Sequence, residues 1–100
     1  MIIRNQNKKA IINFNLISDL VISKDRKGDW DIIACYPYFA QSDCGLAVIG
    51  TYSTEEKAIK VLDMIQEAFY RQWDVENKFV DVTKNDTPIF QMPQDEEVEV

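Results

Sequence analysis

Along the first half of the chain, short apolar runs are separated by polar clusters, the pattern of strands and turns. Ile2-Ile3 is followed by the turn cluster Asn5-Gln6-Asn7-Lys8-Lys9 and then by Ala10-Ile11-Ile12-Asn13-Phe14. This order predicts an N-terminal hairpin. Leu20-Val21-Ile22-Ser23 reads as a third strand, and Lys24-Asp25-Arg26-Lys27-Gly28-Asp29 as a hairpin loop in which Gly28 supplies a positive φ. In Trp30-Asp31-Ile32-Ile33-Ala34-Cys35-Tyr36 the alternation puts Trp30, Ile32, Ala34 and Tyr36 on one face and Ile33 with Cys35 on the other. The turn Pro37-Tyr38-Phe39-Ala40-Gln41-Ser42-Asp43 leads into a further apolar strand over 44–52. Strands adjacent in sequence pair most economically as an antiparallel meander.

From Gly50-Thr51-Tyr52-Ser53-Thr54-Glu55-Glu56-Lys57 onward the period changes to that of a helix. Ser53 with Glu56 predicts a capping box, worth roughly 1 kcal/mol. The helix is expected from Thr54 to about Asp74, with Ala58, Val61, Leu62, Ile65, Phe69 and Trp73 as its apolar stripe. Glu56 with Lys60, and Glu67 with Arg71, are i,i+4 pairs on its solvated side. Beyond it, Phe79-Val80-Asp81-Val82 is a short apolar segment, Asn85-Asp86-Thr87-Pro88 a turn, and Ile89-Phe90-Gln91-Met92-Pro93 the last segment able to dock. The expected fold is α+β: a curved antiparallel sheet of about five strands with one long helix packed on a face. Residues 1–93 form the domain in this reading, and residues 94–100 a flexible acidic tail that frays.

One hundred residues with 46% hydrophobic content suit a single folded domain. No apolar run reaches the ~20 residues of a membrane-spanning helix, and Met1 to Asn7 lacks the apolar segment of a signal peptide. The expected location is therefore the cytoplasm, where Cys35 and Cys44 are reduced and structural. The net charge of −6 is uneven. Residues 1–50 carry six Lys/Arg and five Asp/Glu, residues 51–100 five and twelve, so the halves stand at +1 and −7. Direct nucleic-acid binding by the whole surface is disfavoured by this balance.

Candidate chemistry is sparse. There is no histidine, which removes the Cys-His and Ser-His arrangements and the commonest transition-metal ligand. Neither cysteine has a basic neighbour in sequence to activate it, and their spacing does not match a structural zinc site. Asp25, Asp29 and Asp31 have a faint likeness to a calcium loop but lack its alternating oxygen ligands and closing Glu. A glycosidase-type carboxylate pair forms only in space, and no spacing here picks one out. Gly28, Gly45 and Gly50 are too far apart for a phosphate-cradling loop, and the aromatic residues are not interleaved with basic ones. No catalytic, cofactor-binding or metal-ligating residue is assigned. Tyr38 and Phe39, two large rings in an expected turn, have the character of interface anchors, and Met64 and Tyr70 off the main helix stripe extend such a patch or widen the core.

Three stretches, Met1-Ile2-Ile3-Arg4 through Lys8-Lys9-Ala10 to Ile12-Asn13-Phe14, then Gly50-Thr51-Tyr52-Ser53-Thr54-Glu55-Glu56 with Ala58, Val61-Leu62 and Ile65, then Phe90-Gln91-Met92-Pro93, resemble a group of small uncharacterised phage and prophage proteins of Gram-positive bacteria. The resemblance implies a short sheet-plus-helix protein in a mobile-element setting and carries no functional residues. Together with the charge, it yields the expectation of a non-catalytic protein-binding accessory factor in the host cytoplasm. The expected partner is a host protein with a basic surface, such as a CRISPR nuclease inhibited through imitation of phosphate charge. The residues expected at the interface are Tyr38, Phe39, Glu55, Glu56, Asp63 and Glu67. The alternatives are a self-assembling structural protein, dimerising through strand edges or the Tyr38-Phe39 patch, and a small-ligand binder using the open face of the sheet.

Overall fold

The computed structural model describes residues 1–37, 45–77 and 89–100, with side chains in the helix through Arg71. The chain runs β1 (Ile2–Arg4), β2 (Ile11–Asn13), β3 (Asp19–Lys24), β4 (Trp30–Cys35), β5 (Leu46–Tyr52), α1 (Glu55–Asn77) and β6 (Ile89–Gln91), with short 3-10 turns at Phe14–Leu16 and Asp95–Glu97. The class is α+β, as the periodicity predicts. The expected single five-stranded sheet is not formed. The described strands make two three-stranded sheets, in the orders β2-β1-β6 and β3-β4-β5. The reason lies at the chain ends: β6 pairs in parallel with β1, Ile3 opposite Phe90, which takes the N-terminal hairpin away from the meander. Phe79–Val82, the Asn85–Pro88 turn and the Trp73 side chain lie outside the described residues.

The meander β3-β4-β5 is antiparallel throughout. Its first hairpin closes as expected, with Gly28 at φ 91°. Asp25 organises that turn, its Oδ1 accepting from the amides of Lys27 at 2.8 Å and Asp29 at 2.9 Å. Trp30, Ile32 and Ala34 share the inner face, Ile32 and Ala34 fully buried and Trp30 packed against them. In β5 the register shifts between Ile32 and Ile33, so that Gly50 faces Ile32 while Val48 faces Ile33. Ile49 is thus the extra residue of a bulge, with its side chain in the core. Gly50 is required by close packing, since a Cβ there would meet Met92 Cε and Tyr52 Cε2 at 3.0 Å.

α1 lays Ala58, Val61 and Ile65 into the core, with Leu62 and Ala68 half-buried beside them. Phe69 completes the stripe differently from expectation. It is 38% exposed, and its ring lies 5.1 Å from that of Phe14, which leaves β2 to enter the 3-10 turn. The helix cap also moves by one residue: Thr54 Oγ1, not Ser53, accepts from the amide of Lys57 at 3.2 Å. Ser53 has another partner. Its amide and hydroxyl both donate to Asp95 Oδ1, at 2.8 and 3.1 Å.

That contact belongs to the segment expected to fray. Beyond β6, Met92 and Pro93 are buried, Tyr52 donates its hydroxyl to the Pro93 carbonyl at 2.9 Å, and Val98 is only 5% exposed. Lys57 Nζ lies 3.3 Å from Asp95 Oδ2 and also donates to the Asp95 carbonyl at 3.0 Å. Residues 92–98 therefore form a strap across the helix start and the end of β5. The acidic composition concealed the apolar Val98 that anchors it. One core cluster joins Ile3 and Met92 of the terminal segments to Ile32, Tyr52, Val61 and Ile65.

Candidate functional site

The carboxylates singled out from sequence occupy the outer side of α1. At 3.6 residues per turn, Glu56, Asp63 and Glu67 fall on one line opposite Ala58, Val61 and Ile65, and the ~1.5 Å rise per residue spreads them over about 16 Å. All three are exposed, as is Glu55. Glu55 and Glu56 also sit in the first turn, where they complement the positive end of the helix dipole. Glu67 forms an ion pair with Arg71, as the i,i+4 spacing predicts. Among the described residues, Glu56 and Asp63 are in no ion pair, so the Glu56–Lys60 pairing is not made.

The line has two different borders. Lys60 and Arg71 flank it on one side, whereas Ile59, 45% exposed, and Tyr70, 64% exposed, flank it on the other, with Gln66 between them. Ile59, Asp63, Gln66 and Tyr70 follow a 4-3-4 spacing, the line along which one helix meets another. The periodicity placed Tyr70 off the stripe, and the exposure of both Ile59 and Tyr70 is what makes the face amphipathic rather than simply acidic.

Tyr38 and Phe39 lie outside the described residues. The β4–β5 pair, whose strands lie on either side of them in the chain, ends with the Tyr36 amide donating to the Gly45 carbonyl at 2.9 Å. The structure therefore brings together Glu56, Asp63 and Glu67, with Glu55 at the head of the same helix.

Other candidate chemistry resolves into structural roles. Asp25 holds the hairpin, and Asp31 accepts from Thr51 Oγ1 at 2.8 Å across the sheet. Cys35 sits beside Asp19, and partial burial followed by that carboxylate raises its thiol above the ordinary value, the opposite of what a nucleophile needs. Cys44 lies outside the described residues. Burial first, then Asp95 and Glu97, push the Tyr52 phenol well up, which keeps it a neutral donor to Pro93. No group of three or more Cys, Asp or Glu able to hold a metal occurs among the described residues. None of the helices described is long and apolar enough to cross a membrane.

A cleft of about 240 Å³ lies along the outer edge of β5, lined by Asn5, Gln6, Asn7 and Val48 to Thr51. Its central side chain, Gln6, is already committed. The Gln6 amide donates to the Ile49 carbonyl at 2.9 Å, and its side chain accepts from the Thr51 amide at 2.9 Å while donating to the Thr51 carbonyl at 3.0 Å and the Pro93 carbonyl at 3.2 Å. Gln6 thus acts as the joint between β5, the N-terminal turn and the strap. Sequence reasoning missed it, because a glutamine in a polar turn cluster carries no local signal of a partner 45 residues away.

Neither a protein family, nor a curated protein, nor a solved structure matches this chain.

Proposed function

We propose that this protein is a non-catalytic binding factor whose contact surface is the outer face of α1, and that its partner is a protein with a basic, helical or groove-shaped surface. The observation that carries the reading is the line of Glu56, Asp63 and Glu67, exposed over about 16 Å and bordered by the exposed side chains of Ile59 and Tyr70. Exposed carboxylates, of which Glu56 and Asp63 are in no ion pair among the described residues, steer a cationic partner, and apolar side chains beside them supply contact area once it docks. The absence of histidine from the chain supports the non-catalytic part of the reading. The resemblance to small phage and prophage proteins supports a setting in which the partner is a host protein in the bacterial cytoplasm, a cationic defence nuclease being the class that suits the charge.

The test is affinity capture from a Gram-positive bacterial lysate with the wild-type chain and with a variant carrying Glu55→Gln, Glu56→Gln, Asp63→Gln and Glu67→Gln. A basic protein retained by the wild type at low salt should be reduced at least tenfold with the variant. Its association rate should fall as salt rises past the point where charges are screened over about 8 Å. Capture indifferent to both changes removes the helix face as the interface.

A further inference from the structure

The cleft along the outer edge of β5 is lined by residues 48–51 of that strand on one side and by Asn5, Gln6 and Asn7 of the β1–β2 turn on the other. Gln6 seals the strand edge at Thr51, and its side-chain oxygen and amide nitrogen are spent on Thr51 and Pro93. Asn5 and Asn7 are different. Asn5 Oδ1 accepts from the Ala10 amide at 3.2 Å, and Asn7 Oδ1 from the Lys9 amide at 2.8 Å, bonds that shape the turn. A backbone amide only donates, so the oxygen of each side chain is fixed in the turn and its NH2 group is the end left over. Among the described residues neither NH2 group has an acceptor, and the backbone amide of Asn7 has none either.

The charge of the turn has one sign. Lys8 and Lys9 follow Asn7, and Arg4 spans the same turn, its guanidinium donating twice to the Lys8 carbonyl at 3.1 and 3.0 Å. None of the three is in an ion pair among the described residues. On the β5 side Thr51 donates its hydroxyl to the Asp31 carboxylate, so an anion is favoured toward the turn. The lining holds no carboxylate to ligate a metal cation and no aromatic ring to stack a base. At about 240 Å³ the cleft is also smaller than the ~300–1,000 Å³ that takes a drug-sized molecule.

We propose that this cleft binds a small oxyanion, a carboxylate or a phosphate, through the NH2 groups of Asn5 and Asn7 and the Asn7 amide, with Lys8 and Lys9 supplying the charge. Hydrogen bonds to an ionised acceptor are the stronger kind, and the turn already holds both asparagine side chains by their oxygens, so little freedom is lost when the donors engage. Lys8 and Lys9 are exposed, which makes the binding weak and sensitive to salt. The site shares no residue with the outer face of α1 and does not rest on the function proposed for that face.

Nitrogen-15 NMR titration of the full chain with sodium phosphate and, separately, with sodium acetate tests the proposal, each against sodium chloride at equal ionic strength and neutral pH. The side-chain NH2 signals of Asn5 and Asn7 and the backbone amide of Asn7 should shift saturably with at least one oxyanion and not with chloride, and the salt that acts identifies the source. Asn7→Asp keeps the oxygen that the Lys9 amide needs and replaces the donor with a carboxylate oxygen, so it should weaken binding at least tenfold with an unchanged circular dichroism melt. Lys8→Asn, tolerated at the φ of 66° there, combined with Lys9→Gln should weaken it several-fold. Absence of saturable shifts with both oxyanions overturns the proposal. So do saturable shifts confined to residues away from the cleft, or shifts that neither Asn7→Asp nor the Lys8→Asn, Lys9→Gln pair weakens.

Discussion

The two sheets, of three strands each among the described residues, are built in opposite ways. β3-β4-β5 is a meander whose strands follow one another in the chain, so each pairing closes a short loop and costs little entropy. β2-β1-β6 uses strands of three residues and joins Ile2–Arg4 to Ile89–Gln91 across nearly the whole chain. Strands that short are not stable by themselves. They persist because the residues around them reach into the common core: Met1 and Ile3 from one side, Met92 and Val98 from the other. The comparison teaches that the meander is held by local pairing, and the terminal sheet by what its flanking residues bury.

Ile65→Asp tests whether the two halves share one fate. Ile65 is 2% exposed in the cluster that joins both sheets. An unpaired carboxylate there costs several kcal/mol, a large part of the stability of a domain this size. The cooperative thermal transition should disappear. Survival of native-like meander signals in NMR would show that β3-β4-β5 folds without the rest.

Met92→Ala asks a narrower question of the terminal sheet. Its side chain is fully buried over Gly50, and truncation should cost about 2–4 kcal/mol, read as a lower urea midpoint. If the terminal sheet depends on burial as argued, amide exchange should accelerate first in β1, β6 and the strap, and later in β4. Equal acceleration everywhere would erase the distinction between the sheets.

The smallest effect is the acid response of the strap. The Ser53 amide first, then the Ser53 hydroxyl and Lys57, hold the Asp95 carboxyl below its ordinary value against the opposing effect of partial burial. The folded protein therefore binds fewer protons at this site than the unfolded chain. The stabilisation is complete above the unfolded value near 4 and is lost as pH falls through the lower folded value. Protection of the Ser53 and Val98 amides, measured against the intrinsic exchange rate at each pH, should fall over that acidic window in the wild type. In Asp95→Asn it should already be lower at neutral pH and change less on acidification.

Much of the meander was legible in the residues. The alternation from Trp30 to Ala34 identified the buried face, Gly28 located the turn, and the three-and-four spacing of Ala58, Val61 and Ile65 identified the packed side of the helix. Each of these rests on periodicity or on a local dihedral requirement, which neighbouring residues suffice to encode. The carboxylate line of α1 was legible for the same reason. Its apolar border was only partly so, because exposure of Ile59 and Tyr70 depends on what else covers the helix.

What the sequence by itself determined is the set of elements and which way most of them face, since strand and helix periods are properties of consecutive residues. What only the tertiary structure decided is how the chain ends are used. The parallel pairing of β6 with β1, the transfer of Ser53 from helix cap to partner of Asp95, the seal that Gln6 makes on β5 and the docking of Val98 all join residues more than 40 positions apart. Such contacts form only after the core has brought the partners together, so no local pattern announces them.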